Sequence, residues 1–261
     1  SPPPPTSVAE EAPTPDAQFK AWLAKLHREA RGRGISERTL KAALTDLRPI
    51  PRILELDRHQ AEFSQTFWRY FDGAVTPKRL SEGQALLKEH KGMLGIVAAK
   101  YGVPARFLVA FWGLETSYGQ NTGGYPVIAA LATLAFDGRR SEFFRGELFN
   151  ALTILDQGHI SADKMNGSWA GAMGQTQFMP STFMKYAVDA DGDGRENIWT
   201  DLPDAMSSAA HYLQALGWDD MRGWGREVGL PLTFDVGLAS IDANATETIK
   251  PLKAWAELGI K

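Results

Sequence analysis

From Asp16 onward the apolar residues recur at helical spacing, and almost nothing competes with that signal. Phe19, Trp22, Leu23 and Leu26 follow the i, i+3, i+4, i+7 rule of one helix face. Ser36 can cap a second helix carrying Leu40, Ala43, Leu44 and Leu47, which must end before Pro49. Residues 57–72, with Phe63, Phe67, Trp68, Tyr70 and Phe71, predict another. Thr76 and Pro77 open a helix expected to run to about Lys100, since proline fits the first turn. Pro104 starts the next, and further helices are expected at 126–136, 140–158, 180–188, 204–216 and 249–258. The best strand signal is TFDVGLA at 233–239. There is no internal repeat and no βαβ alternation. The chain therefore reads as mainly α, of the α+β kind, with one small β element.

Apolar residues make up 44% and charged residues 23%, which suits a packed globular chain. Residues 1–16 differ, being rich in proline and nearly without large apolar side chains, so they predict an extended, disordered leader or a tether. The first residue is Ser1, so a mature or trimmed form is expected, its targeting segment removed. The longest apolar run, Phe107 to Leu114, is well short of the roughly 20 residues that span a bilayer. Lys and Arg number 28 against 31 Asp and Glu, a net charge of −3 that argues against nucleic-acid binding by bulk phosphate attraction. Cysteine is absent, which removes disulfides, thiol nucleophiles and cysteine-bound zinc. His27, His59, His90, His159 and His211 are scattered without zinc-ligand spacing, and no Gly-x-Ser-x-Gly elbow is present.

Three segments can carry chemistry. In FLVAFWGLETSYG, residues 107–119, Glu115 stands at the end of an almost wholly apolar helix, with Gly119 free to turn left-handed after it. Apolar surroundings and the negative helix end both disfavour its ionised form, as a general acid near neutral pH requires. The alternative is a carboxylate that pairs with arginine or points to water. In GSWAGAMGQTQFMPSTF, residues 167–183, glycines and two glutamines can bring backbone and amide groups close to sugar hydroxyls and N-acetyl groups. A tight structural loop or small hairpin is the alternative; the phosphate-loop pattern is missing.

In DADGDGRENIWTDLPDA, residues 189–205, Asp189, Asp191, Asp193 and Gly194 fill positions 1, 3, 5 and 6 of an EF-hand loop, and Arg195 would offer its carbonyl. Carboxylates at alternate positions repel one another unless a hard cation such as Ca²⁺ sits among them. Position 12 is Thr200 instead of Glu, so the closing carboxylate is expected from Asp201 or Asp204. A metal-free polar turn is the other reading.

Together AFWGLETSYG, LATLAFDGRRSEFFRGEL and GSWAGAMGQTQFMPSTFMKYAVDADGDGRENIW resemble, in order, the motifs of the membrane-bound lytic transglycosylase B family, across most of residues 17–261. The resemblance implies a lysozyme-like catalytic core with an added helical domain, acting on bacterial peptidoglycan. It divides the chain into a largely helical part at 17–103, a catalytic core at 104–230 with the calcium loop at 189–204, and a C-terminal segment at 231–261. That segment ends at Ile260 and Lys261 without the Arg-Tyr-Asn-like motif that lines the family's cleft.

The resemblance also implies roles. The family cleaves the β-1,4 bond between N-acetylmuramic acid (NAM) and N-acetylglucosamine (NAG) without water, leaving a 1,6-anhydro ring. Glu115 matches the catalytic Glu, acid first and then base. No second carboxylate is placed beside it by motif, whereas ordinary glycosidases use a pair. Ser168, Gln177, Tyr212 and Tyr70 match substrate-contacting positions. Asp189, Asp191, Asp193, the Arg195 carbonyl and Asp204 match the ligands of a structural Ca²⁺; no organic cofactor is implied. The expected setting is the periplasm of a Gram-negative bacterium, with glycan strands as partner, a membrane tether through an N-terminal segment, and cell-wall synthesis or division proteins nearby. A non-catalytic peptidoglycan-binding protein, a hydrolytic muramidase and a calcium-responsive interaction protein are the alternatives.

Overall fold

The computed structural model describes residues 14–58 and 67–219, with side chains of the second stretch described from residue 71. Helix α1 (Pro15–Gly32) starts where Thr14 caps it, its hydroxyl accepting from the Ala17 amide at 3.3 Å. Pro15 and Asp16 are therefore helical, and the leader expected over 1–16 is shorter at its C-terminal end. The reason is local: Pro at the first helical position and Asp in the first turn both favour a helix start.

Ser36 caps α2 (Glu37–Leu44) as expected, but Leu47 lies beyond its end. Of the stretch anticipated as helix at 57–72, residues 57–58 belong to α3 (Pro51–Arg58) and 67–72 to α4 (Phe67–Ala74), while 59–66 lie outside the described residues. The helix expected from Thr76 to Lys100 is two, α5 (Pro77–Glu89) and α6 (Lys91–Tyr101), broken at His90. The packing accounts for the break: α5 lies on α7 (Ala105–Thr116) while α6 lies mainly on α11 (Leu202–Ala215). The remaining helices are α8 (Val127–Asp137), α9 (Ser141–Gln157) and α10 (Pro180–Tyr186).

The described β structure is two short strands, β1 (Tyr125–Pro126) and β2 (Asn166–Gly167), antiparallel, with Tyr125 opposite Gly167. Further bridges join Gly167 to Met173 and Met173 to Phe178, so residues 167–178 do form a small hairpin. The strand expected at 233–239 and the helix at 249–258 lie outside the described residues.

Two apolar cores organise the helices. The first gathers α1, α2 and α3 around α8, α9 and α10, with Phe19, Leu26, Leu40, Ile53, Leu131, Phe144 and Leu152 essentially buried. Helix α8 is buried from Val127 to Ala135, which is why its sequence is apolar all round instead of striped. The second core joins α6, α7 and α11 through Leu94, Leu108, Trp112, Met206 and Ala209. Each core draws on residues from both sides of the 103/104 division expected from sequence. No single described helix is long and apolar enough to cross a membrane.

Candidate active site and acidic loop

Glu115 occupies the last turn of α7. Past it the chain turns left-handed through Ser117 (φ 50°), Tyr118 (φ 60°) and Gly119 (φ 79°). Only Gly119 has the residue type expected for this, and the two non-glycine positions are costly unless their surroundings fix them. The surroundings do so. The Tyr118 ring fits a slot between Gly83 of α5 and Gly113 of α7; a Cβ at Gly113 would lie 2.7 Å from the ring. The Tyr118 hydroxyl donates to the Arg79 carbonyl at 2.7 Å. Arg79 in turn donates to the Ser117 hydroxyl at 3.0 Å and to the Ala74 carbonyl.

Thr116 is buried, and its hydroxyl is within donating distance of the Gln175 carbonyl at 2.9 Å while accepting from the Gly119 amide at 2.9 Å. This fastens the end of α7 to the 167–178 hairpin. A second tie is Gln177, itself left-handed (φ 51°), whose side-chain nitrogen donates to the carbonyls of Thr122 (3.1 Å) and Gly174 (3.0 Å). Both its N–H groups are used, which leaves the amide oxygen to accept. The Ser168 hydroxyl oxygen accepts from the amides of Ala170 (3.3 Å) and Ala172 (3.0 Å), leaving its proton to donate. At Gly123 a Cβ would collide with the backbone of Gly167, so this strand contact requires glycine.

Around these loops Glu115 reaches solvent yet has no hydrogen-bond or ion-pair partner among the described residues. Neighbouring protein removes enough water to push its carboxyl above the ordinary carboxylate range, and burial is the cause. No described carboxylate or arginine contributes to that shift. Tyr212 of α11 packs its ring against Phe178 (5.5 Å) and Tyr186 (5.2 Å), which joins it to the same hairpin. Tyr70 lies in α4, its side chain outside the described residues. The sequence reading passed over Thr116, Tyr118 and Arg79, whose roles depend on partners 38 to 59 residues away.

The acidic loop is assembled as well. Ligand oxygens of Asp189, Asp191 and Asp204 lie within 4.8 Å of one another. Asp189 accepts from the amides of Gly192, Asp193 and Gly194 at 2.7, 3.2 and 2.9 Å, which winds the loop around its carboxylate. Asp204 is buried and accepts from the amides of Ala190 and Asn197, both at 2.7 Å. Asp201 caps α11 instead, accepting from the Asp204 amide at 2.9 Å, so of the two closing candidates Asp204 joins the cluster. Asp193 stands outside the trio, accepting from the Arg195 amide at 2.9 Å, and Arg195 is exposed. No cationic side chain pairs with the trio among the described residues. Three clustered carboxylates, of which Asp204 is buried, Asp189 half-buried and Asp191 exposed, without a cationic side chain to neutralise them, fit a hard divalent cation.

Residues 18–261 match the family described as the transglycosylase SLT domain. Membrane-bound lytic murein transglycosylase B of Escherichia coli K12 is 34% identical over 195 residues, covering 71% of this chain and 54% of that protein. The chain thus spans about half the length of the curated relative it matches. SltB3 of Pseudomonas aeruginosa, solved with NAG-NAM-pentapeptide, aligns at a TM-score of 0.77 and 46% identity, over 79% of this chain and 55% of that one. Escherichia coli Slt35, solved with calcium, aligns at 0.68 and 33%, over 78% and 64%. The family match takes in every described helix but the first three residues of α1, and both candidate sites, and this chain belongs to the transglycosylase SLT domain family.

Proposed function

We propose that the protein is a peptidoglycan lytic transglycosylase with Glu115 as its single acid and base. The carrying observation is Glu115 itself, a carboxyl with no partner among the described residues, with a raised pKa and no described acidic neighbour acting on it. A carboxyl whose pKa is raised by burial keeps its proton to higher pH than an ordinary one, and can give it to the glycosidic oxygen as the C1–O bond of the muramyl residue breaks. The substrate's own N-acetyl oxygen stabilises the cationic C1. The Glu115 carboxylate then takes the proton of the C6 hydroxyl as that oxygen bonds C1 and the N-acetyl oxygen leaves, closing the 1,6-anhydro ring. One carboxylate suffices because no water is activated. Ser168 offers a donor and Gln177 an acceptor to the sugar, Tyr212 an aromatic edge, and Tyr70 a further contact. The names of the relatives support the reading, since they are lytic transglycosylases and SltB3 binds a NAG-NAM-pentapeptide.

The same proposal includes an EF-hand-like Ca²⁺ site formed by Asp189, Asp191, Asp193, the Arg195 carbonyl and Asp204, supported by the clustered carboxylates and by the calcium complex of Slt35. When bound, the ion neutralises the loop and holds it to the start of α11. No organic cofactor is needed. We place the protein in the Gram-negative periplasm, reached by a membrane tether or as a soluble form, with glycan strands as its substrate and cell-wall synthesis or division proteins as partners. Digestion of purified peptidoglycan followed by mass spectrometry tests the activity. Products one water lighter than hydrolysed muropeptides support it; hydrolysed products assign a muramidase, and no release assigns a binding protein.

A further inference from the structure

Among the described residues five that are not glycine have positive φ, and three of them, Ser117, Tyr118 and Gln177, belong to the candidate active site. Ser117 and Tyr118 are consecutive and begin two residues after Glu115. Strain gathered at one site persists only where the surroundings over-determine it, and it points to a function there. The Thr116 contact with Gln175 secures this turn from the hairpin side. Its other side is held by one face of α5. Residues 79, 82 and 83, spaced as neighbours on a helix surface, all meet the 117–120 segment. Glu82 accepts from the Gln120 side chain, and Gly83 leaves room for the Tyr118 ring.

Arg79 uses every polar group it has to join three elements. Its amide donates to the Thr76 hydroxyl at 3.2 Å, which fixes it in the first turn of α5. Its carbonyl accepts from the Tyr118 hydroxyl at 2.7 Å. Its guanidinium forks: one terminal nitrogen donates to the Ser117 hydroxyl at 3.0 Å, the other to the carbonyl of Ala74 at the end of α4. No described carboxylate pairs with it, and it is not among the groups that shift Glu115. Its donors are spent on geometry and not on neutralising a charge. Helix α4 carries Tyr70 and α7 carries Glu115, so one side chain spans the helices of a proposed sugar contact and of the proposed acid. Resting on the proposed function, we infer that Arg79 is a positioning residue, whose fork imposes the left-handed turn behind Glu115 and sets the spacing of that carboxyl from α4. A planar fork holds two acceptors at a fixed separation, which a lysine ammonium on a flexible stem does not.

The test measures kcat and KM for product release from soluble, uncrosslinked glycan strands across pH, with folding checked by circular dichroism. Arg79→Met should lower kcat on the order of 10–100-fold, the scale of a 1 Å misplacement. The pH at which activity falls should stay where it is, since burial and not this charge sets the proton affinity of Glu115. Arg79→Lys should recover only a small part of the loss. Arg79→Met/Ser117→Gly should regain part of the lost kcat, because glycine takes the left-handed conformation unaided. A residue that only stabilises the fold would lower the melting temperature and show neither the kcat loss nor that rescue. Should Arg79→Met not fold, Ser117→Ala drops a single bond and takes its place, with an expected kcat loss of about three- to tenfold at unchanged KM. Folded variants with native kcat overturn the inference. Full recovery in Arg79→Lys, or a displaced pH limb at unchanged maximal kcat, also overturns it by assigning a charge effect. Hydrolysed wild-type products overturn the transglycosylase reading while the same turnover comparison still decides Arg79; no release at all overturns both.

Discussion

The Thr116 hydroxyl lies 2.9 Å from the carbonyl of Gln175, 59 residues further along the chain, and so fixes the helix end that carries Glu115 to the hairpin that carries Ser168 and Gln177. Its oxygen also receives the Gly119 amide. Thr116→Val keeps the shape and strands both backbone groups inside the fold. We expect a loss of about 1–3 kcal/mol in urea unfolding, with Thr116→Ser restoring most of it. Unchanged stability in Thr116→Val would show that the tie does not hold the two segments.

On the proposed mechanism one group serves both steps, so Glu115→Gln should lower release of 1,6-anhydro products by at least about 10²–10⁴-fold. In the wild type, activity should fall as pH rises through the raised Glu115 pKa, since the acid form is then lost. The stability sign runs the other way from a salt-bridged acid. The folded state holds this proton more tightly than the unfolded one, so wild-type stability is relatively greatest below the ordinary carboxylate pKa and declines as pH rises through the folded value. Glu115→Gln should therefore melt at or above the wild-type temperature at pH 7, with the gap narrowing toward pH ~4. A folded variant with near-native turnover would remove Glu115 from the mechanism.

Alanine at position 113 ordinarily gains about 1 kcal/mol over glycine in a helix. Here its Cβ would meet the Tyr118 ring at 2.7 Å. Overpacking of that kind costs about 1–3 kcal/mol. Gly113→Ala should lower the melting temperature and reduce turnover, because Tyr118 follows Glu115 by three residues. A stabilised Gly113→Ala protein would mean that the slot is not tightly filled.

Asp57 is 2% exposed and accepts from Arg139 at 2.7 Å and Arg140 at 2.5 Å, which joins α3 to the turn between α8 and α9. The hydrogen bond from Arg139, with that from Arg140, holds its carboxyl below the ordinary range against the effect of burial. That stability is present above the unfolded pKa and is lost as pH falls through the folded one. Asp57→Asn should cost about 1–3 kcal/mol at pH 7, with the penalty shrinking below pH ~4. Melting curves of both proteins across that range decide it; a constant difference would count against the pair.

Calcium should act on stability and not on the chemical step. An ion bound only by the folded state adds RT ln(1 + [L]/Kd), about 2.7 kcal/mol at a hundredfold excess over Kd. Chelation should lower the melting temperature, and Asp191→Ala with Asp193→Ala should abolish that sensitivity. Identical calorimetric traces with excess Ca²⁺ and with chelator would remove the site.

Most helices were legible in the sequence because helical periodicity is a short-range property, set by residues three and four apart. That range covered Glu115 in the last turn of α7, the cap at Ser36, and the Asp189–Asp191 turn. It also explains the misreadings. The break at His90 carries no strong local signal, and it exists because α5 and α6 pack on different partners. Pro15 and Asp16 looked like leader by composition yet begin a capped helix. What the fold alone decided are the meetings of distant segments: Asp204 instead of Asp201 beside Asp189, Tyr118 threaded between Gly83 and Gly113, and Thr116 against Gln175. Such contacts form only once two apolar cores bring α7, α11 and the 167–178 hairpin together, and no local spacing encodes that long-range packing.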